Sequence, residues 1–261
     1  MINIIKAEIN RLFNSKGFWF TLSMFIIVYV ICIFMQISAQ ESGMFSSVNS
    51  APEPGFYISI DIVLKSLNSF AIMFGHSFGT LILGIYLAIF VCNEYSSGYI
   101  KNTITLSNGR TAVIISKIVV SIFLNFLIIL LSYGIGFMLG NILIDGFVVE
   151  PIGTLFRSSV VMFVMSLALF SLIIAVTTLF RNKIAGIILV LLISSGMLQP
   201  FFTSFFDLVN LSFLSEYTLS SLFLKSAVLG ESEIMKVVLI SVGYIIFYNV
   251  ISLGISYKRD I

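Results

Sequence analysis

The chain has 261 residues, of which 59% are hydrophobic and only 10% charged, against about 25% charged in soluble proteins. A water-soluble globule could not cover its surface from this stock, and 26 Phe with a mean hydropathy of +1.11 place the chain in a bilayer. Fourteen Lys and Arg against 12 Asp and Glu leave a formal net charge of +2, without the basic footprint that a nucleic-acid binder needs.

Residues 1–16 put Ile2, Ile5, Ile9, Leu12 and Phe13 on one helical face, with Asn3, Lys6, Asn10, Arg11 and Asn14 largely elsewhere. This pattern predicts an amphipathic interfacial helix whose Lys6, Arg11 and Lys16 favour anionic lipid. Beyond it, charges set the segmentation, because each Lys, Arg or Asp at the centre of a membrane helix costs roughly 2.5–3.5 kcal/mol. Six charge-free runs emerge, each long enough to cross the hydrocarbon core. They predict spans at 17–40, 67–92, 113–143, 158–180, 184–206 and 237–257, so the fold class is all-α integral membrane. The first run is too long for the apolar region of a signal peptide and is read as an uncleaved anchor. Ten of the 14 Lys and Arg fall on the side of the termini, which makes both termini cytoplasmic by the positive-inside rule. Of the outer connections, 213–230 is rich in Leu and Phe and is expected to return to the interface or the bundle.

The chemistry-bearing residues are sparse. Cys32 and Cys92 lie in apolar runs and read as small buried hydrophobes. Gly75-His76-Ser77-Phe78-Gly79 has the letters of a nucleophile elbow, but the segment is a spanning helix and the chain has no second histidine. The same residues read better as Gly75-x-x-x-Gly79, a seam for close helix approach, and Gly136-x-x-x-Gly140 offers another. His76 is either a packing residue or a polar group of a pathway. Gln199-Pro200 is placed to kink or end the fifth span, and Tyr244 with Tyr248 to form an aromatic wall. No P-loop sequence occurs, so the chain binds no nucleotide phosphate in that way.

One segment is too long for a simple connector. Residues 93–110, NEYSSGYIKNTITLSNGR, separate spans two and three and can hold a short helix across the cytoplasmic surface. Glu94, then Gly98-x-Ile100-Lys101-Asn102, then Gly109-Arg110 and Lys117 resemble the cytoplasmic loop of ABC transporter permeases of the ABC-2 class. The small permeases of bacitracin, lantibiotic and drug export or self-immunity are the most similar in size. The resemblance implies six spans, an amphipathic N-terminal helix, and a coupling helix that docks on a separate ATPase subunit carrying ATP and Mg. The implied coupling residues are Glu94, Tyr95, Gly98, Tyr99, Ile100, Lys101 and Arg110. It also implies no cofactor and no catalysis in this chain, a second permease subunit as partner, and membrane lipid around both. Richness in Ile, Phe and Asn suits an AT-rich bacterial genome, and the expected location is the bacterial cell membrane. The competing reading, a secondary transporter, calls for ionisable residues near the midplane, and the six runs contain no Asp, Glu, Lys or Arg.

Overall fold

Long apolar runs have no water with which to satisfy their backbone, and helices satisfy it internally. The computed structural model, which describes residues 2–41, 66–98, 109–144, 146–225 and 231–258, follows that rule: among these residues there is no strand beyond one isolated bridge, Ser66 to Val148. Helix α1 (Ile2–Asn14) turns at Ser15 into α2 (Lys16–Glu41). The elbow is fixed by Trp19, whose indole N–H donates to the Phe13 carbonyl at 2.8 Å, and by edge-on packing of Phe13 on Phe18.

The second span is continuous but not uniform. It opens as α3 (Leu67–Phe70), widens into a π turn (Ala71–His76) and continues as α4 (Ser77–Ser96). Next come α5 (Gly109–Leu143) and α6 (Ile152–Phe180). Both start earlier than the charge pattern predicts, as does the last helix, α10 (Glu231–Lys258). A charge marks where hydrocarbon ends, whereas a helix can run on into water; Arg157 lies in the exposed first turns of α6.

The fifth predicted span, 184–206, is broken. Helix α7 (Lys183–Ser194) and α8 (Leu198–Leu208) meet at 80°. The 12 residues of α7 rise about 18 Å, short of a core of about 30 Å. Gly196 takes φ 72 at the break. Pro200, in the first turn of α8, is placed where its missing N–H costs nothing. Among the described residues five helices are thus long and apolar enough to cross, or six if the bent pair is one span. The chain then returns through a 3₁₀ turn (Ser212–Tyr217) and α9 (Leu219–Lys225), which buries Leu219, Leu222 and Phe223 against α6 and α7.

At the centre stand α4 and α6, with 67% and 72% of their most apolar stretches buried; α2 and α10 line the periphery. Small residues set the closest approaches. A Cβ on Gly75 would land on Ser132 of α5, and one on Gly79 would stand 2.7 Å from Ile128. On α5, Gly136 makes room for the Tyr29 hydroxyl, which donates to the Ser132 carbonyl at 2.9 Å, and Gly140 for the ring of Phe147. Gly186 of α7 fits against Ala88 and Thr177 in the same way. Helix α10 packs on α6, where the Asn249 amide donates to the Ser171 hydroxyl at 3.1 Å; Ser241 and Ser252 of α10 are buried.

Candidate functional site

Helix α1, the last turn of α4, the first turns of α5, the turn between α6 and α7, and the end of α10 gather at one end of the bundle. Their charged groups form its core. Glu8 and Arg11, one turn apart on α1, face Glu94 of α4 and Lys117 of α5. The Glu8 carboxylate lies 3.0 Å from the Arg11 guanidinium and 3.1 Å from the Lys117 ammonium. Arg11 and Lys117 both also bond to Glu94. Glu8, Glu94 and Lys117 are each 1% exposed. Phe90 closes the apolar side, with the Arg11 guanidinium 4.1 Å and the Lys117 ammonium 5.3 Å from its ring centre.

Two acids and two bases make the cluster neutral. Burying one ion costs several kcal/mol, and only multiple partners repay that cost. The arrangement therefore holds α1, α4 and α5 together as one unit. Its local origin is the border position of Glu8, between Ile5 and Leu12 on the inward side of α1, where Leu12 is fully buried. Arg11 follows at i+3, so it turns inward and not toward lipid as the sequence reading expects. Glu94, expected to face a partner, is likewise turned inward.

The other residues of segment 93–110 divide. Tyr95 is half-buried under the Arg181 guanidinium, 5.6 Å from the ring centre. Gly98 takes φ 71, a left-handed conformation open to glycine, just after α4 ends. Arg110 donates to the Tyr257 carbonyl at 2.8 Å, and Thr111 lies 2.8 Å from the Tyr257 hydroxyl. These two residues fasten the end of α10, where a cation also meets the negative end of the helix dipole. Tyr99, Ile100 and Lys101 lie outside the described residues.

Deeper in the bundle, His76 closes the π turn, 1% exposed. Its Nε2 lies 3.1 Å from the Met162 carbonyl, which can only accept, so Nε2 carries the proton. Nδ1 has no hydrogen-bond partner among the described residues, and the ring stacks on Phe223 at 5.1 Å. Near it runs a polar seam that sequence reasoning missed: Asn125 donates to the Phe163 carbonyl at 2.6 Å, and the Ser166 hydroxyl lies 2.6 Å from the Asn125 carbonyl oxygen. A lone Asn in an apolar run was its signal. Among the described residues no group of three or more His, Cys, Asp or Glu could hold a metal.

A family profile described as ABC-2 family transporter protein matches residues 4–196, from α1 through α7. The chain belongs to the ABC-2 transporter family. No curated protein matches it. Membership makes this a multi-pass membrane permease, a transport subunit of a class that in general works with an ABC ATPase. All four members of the buried ion cluster fall inside the matched part of this ABC-2 permease.

Proposed function

We propose that this ABC-2 permease is the membrane-spanning subunit of an ATP-driven exporter in a bacterial cell membrane. ATP and Mg belong to a separate ATPase subunit that grips residues 93–110 on the cytoplasmic side, where both termini lie and α1 rests among the headgroups. Two permeases, identical or homologous, enclose a path for a hydrophobic or amphipathic substrate such as a peptide antibiotic, in resistance or self-immunity.

The observation that carries this reading is the ion cluster. Glu94 and Lys117 stand on either side of segment 93–110, and both hold α1 through Glu8 and Arg11. A pull on the segment moves the ends of α4 and α5 together, with α1 and, through the Trp19 elbow, α2. ATP-driven closure needs only to stabilise one of two bundle arrangements over the other. In this scheme Glu94 is a positioning residue. Tyr99 and Ile100 supply the apolar key, and Lys101 a charge at the rim. A secondary transporter has less support, because Glu94 and Lys117 are paired near the span ends and not at the midplane.

The test is a purified complex with transport and ATP hydrolysis read together. Truncating an anchor costs about 2 kcal/mol or more, so Tyr99→Ala and Ile100→Asp should shed the ATPase subunit, while Lys101→Ala should do so mildly and depend on salt. Glu94→Gln should keep the subunit yet move less substrate per ATP. Wild-type binding and transport in all four variants would sink the proposal. Sidedness is checked separately: in a chain lacking Cys32 and Cys92, cysteine at Ser107 should label from inside, and at Ser47 or Ser232 from outside.

A further inference from the structure

The second span is held differently on the two sides of its π turn. Below the turn, α4 is fixed by close steric fits and by the ion cluster. A Cβ on Gly79 would stand 2.7 Å from Ile128 and 3.2 Å from Phe25, one on Gly84 would stand 3.2 Å from Val190, and Glu94 bonds to Arg11 and Lys117. Above the turn, α3 is four residues long. Its polar fastenings run from the Leu67 and Asn68 N–H groups to the Val148 carbonyl and the Glu150 carboxylate, and from the Tyr133 hydroxyl to the Asn68 side chain. None of Val148, Glu150 and Tyr133 is buried, so water can take over each of these contacts.

The turn itself has the parts of a joint. Neighbouring hydroxyls serve carbonyls that a widened turn leaves askew: Ser77 donates to the Ile72 carbonyl at 3.4 Å and Thr80 to that of His76 at 2.8 Å. Gly75 lies against Ser132 with no side chain to obstruct a small movement of the backbone. At the lower end of the turn, buried His76 Nδ1 has no hydrogen-bond partner among the described residues. An unpaired buried acceptor raises the free energy of the arrangement that contains it, which narrows the margin over one that pairs it. Tightening the turn to α geometry, with the sequence unchanged, would swing α3 about the helix axis by roughly the angle of one residue. Leu67 and Phe70 would then leave the bundle for lipid, whose tails are as apolar as the core they quit.

We infer that the π turn is a rotary joint, about which the outer end of the second span, Leu67–Phe70, turns relative to α4 as the permease passes between its two arrangements. This rests on the ATP-driven reading given above. A push received at the α1 end then reaches the outer surface as a rotation of α3, while α4 keeps its fit to α5 and its place in the ion cluster.

The experiment uses the full-length permease with its ATPase subunit in lipid nanodiscs, in a chain lacking Cys32 and Cys92. Spin labels go at Ser69 and Thr154, above the turn, or, separately, at Ser96 and Lys183, below it. On adding a non-hydrolysable ATP analogue, the distance between the upper pair should shift and that between the lower pair should not. A second test joins Asn68→Cys to Tyr133→Cys with a reducible bifunctional thiol reagent, since these side chains touch in the arrangement described. Bridging should lower transport at least tenfold with the ATPase subunit retained, and reduction should restore it. A shift in both pairs, or in the lower pair alone, would mean that the span moves as a rod; it would overturn the joint and leave the ATP-driven reading standing. A bridged permease that transports at its unbridged rate would do the same. A complex in which neither pair responds to the analogue would overturn both.

Discussion

The two ends of the bundle are closed by different physics. At the end that carries α1, Glu8, Glu94 and Lys117 are buried together with Arg11 at their partly exposed edge, and the elements they join are held by ion pairs. At the far end the fastening is neutral or half-wet. The Leu67 N–H donates to the Val148 carbonyl at 3.0 Å, half-buried Glu150 accepts from the Asn68 N–H at 3.1 Å, and Tyr133 donates to the Asn68 side chain at 3.0 Å. Gly136 and Gly140 complete it by steric fit. A buried ion cluster has few acceptable arrangements, and its parts move together or not at all. Loose hydrogen bonds and fitted glycines allow smaller, independent adjustments. Under the proposed function, the first suits an end that receives a push, the second an end that must yield to it.

The largest effect should come from Glu94→Ala, which leaves Lys117 and Arg11 with one carboxylate between them. Breaking a buried pair costs about 3–5 kcal/mol, so thermal unfolding in detergent should fall sharply. Glu94→Leu combined with Lys117→Met should recover most of that loss, since an apolar replacement carries no uncompensated charge. At the other end Gly136→Val would drive a side chain onto the Tyr29 hydroxyl, 2.8 Å from the Cβ position. Overpacking of this kind costs about 1–3 kcal/mol, and the loss should not depend on salt. Glu150→Gln, which keeps an acceptor but removes charge at the start of α3, should cost about 1 kcal/mol or less. Lys6→Ala, on the exposed face of α1, should stay within about 0.5 kcal/mol. If Glu94→Ala proved as mild as Lys6→Ala, the contrast between the two ends would be wrong.

Much of the architecture was legible because the solvent enforces it. Apolar runs in a bilayer must be helices, and their limits follow from where charges become affordable. What the sequence hides is direction. Glu94 stands out beside a long connection, but its inward turn depends on Glu8 and Lys117, which no local pattern links to it. The spacing of Gly136 and Gly140 marks a close approach without saying to what; the second of them meets Phe147 of its own following connection. The break in the fifth span has a hint in Pro200, yet the turn falls at Gly196, where φ changes sign. Asn125 and Ser166 are unremarkable in a list of residues and become a pair only when α5 lies on α6.

The π turn at Ala71–His76 bears on how this span tolerates change in length. A π turn houses one more residue than an α turn would, and successive α-helical residues are about 100° apart around the axis. Removing a single residue between Ala71 and His76 would let the turn tighten to α geometry while both flanking helices keep their facings. Gly79 would still meet α5, and Glu94 would still meet Lys117. Removing one residue from the regular helix below, between Leu81 and Phe90, would instead rotate everything after it by about a quarter turn and swing Glu94 out of the ion cluster. The widened turn is thus a reservoir of phase, the one place in the second span where the chain can lose a residue without misaligning what lies on either side.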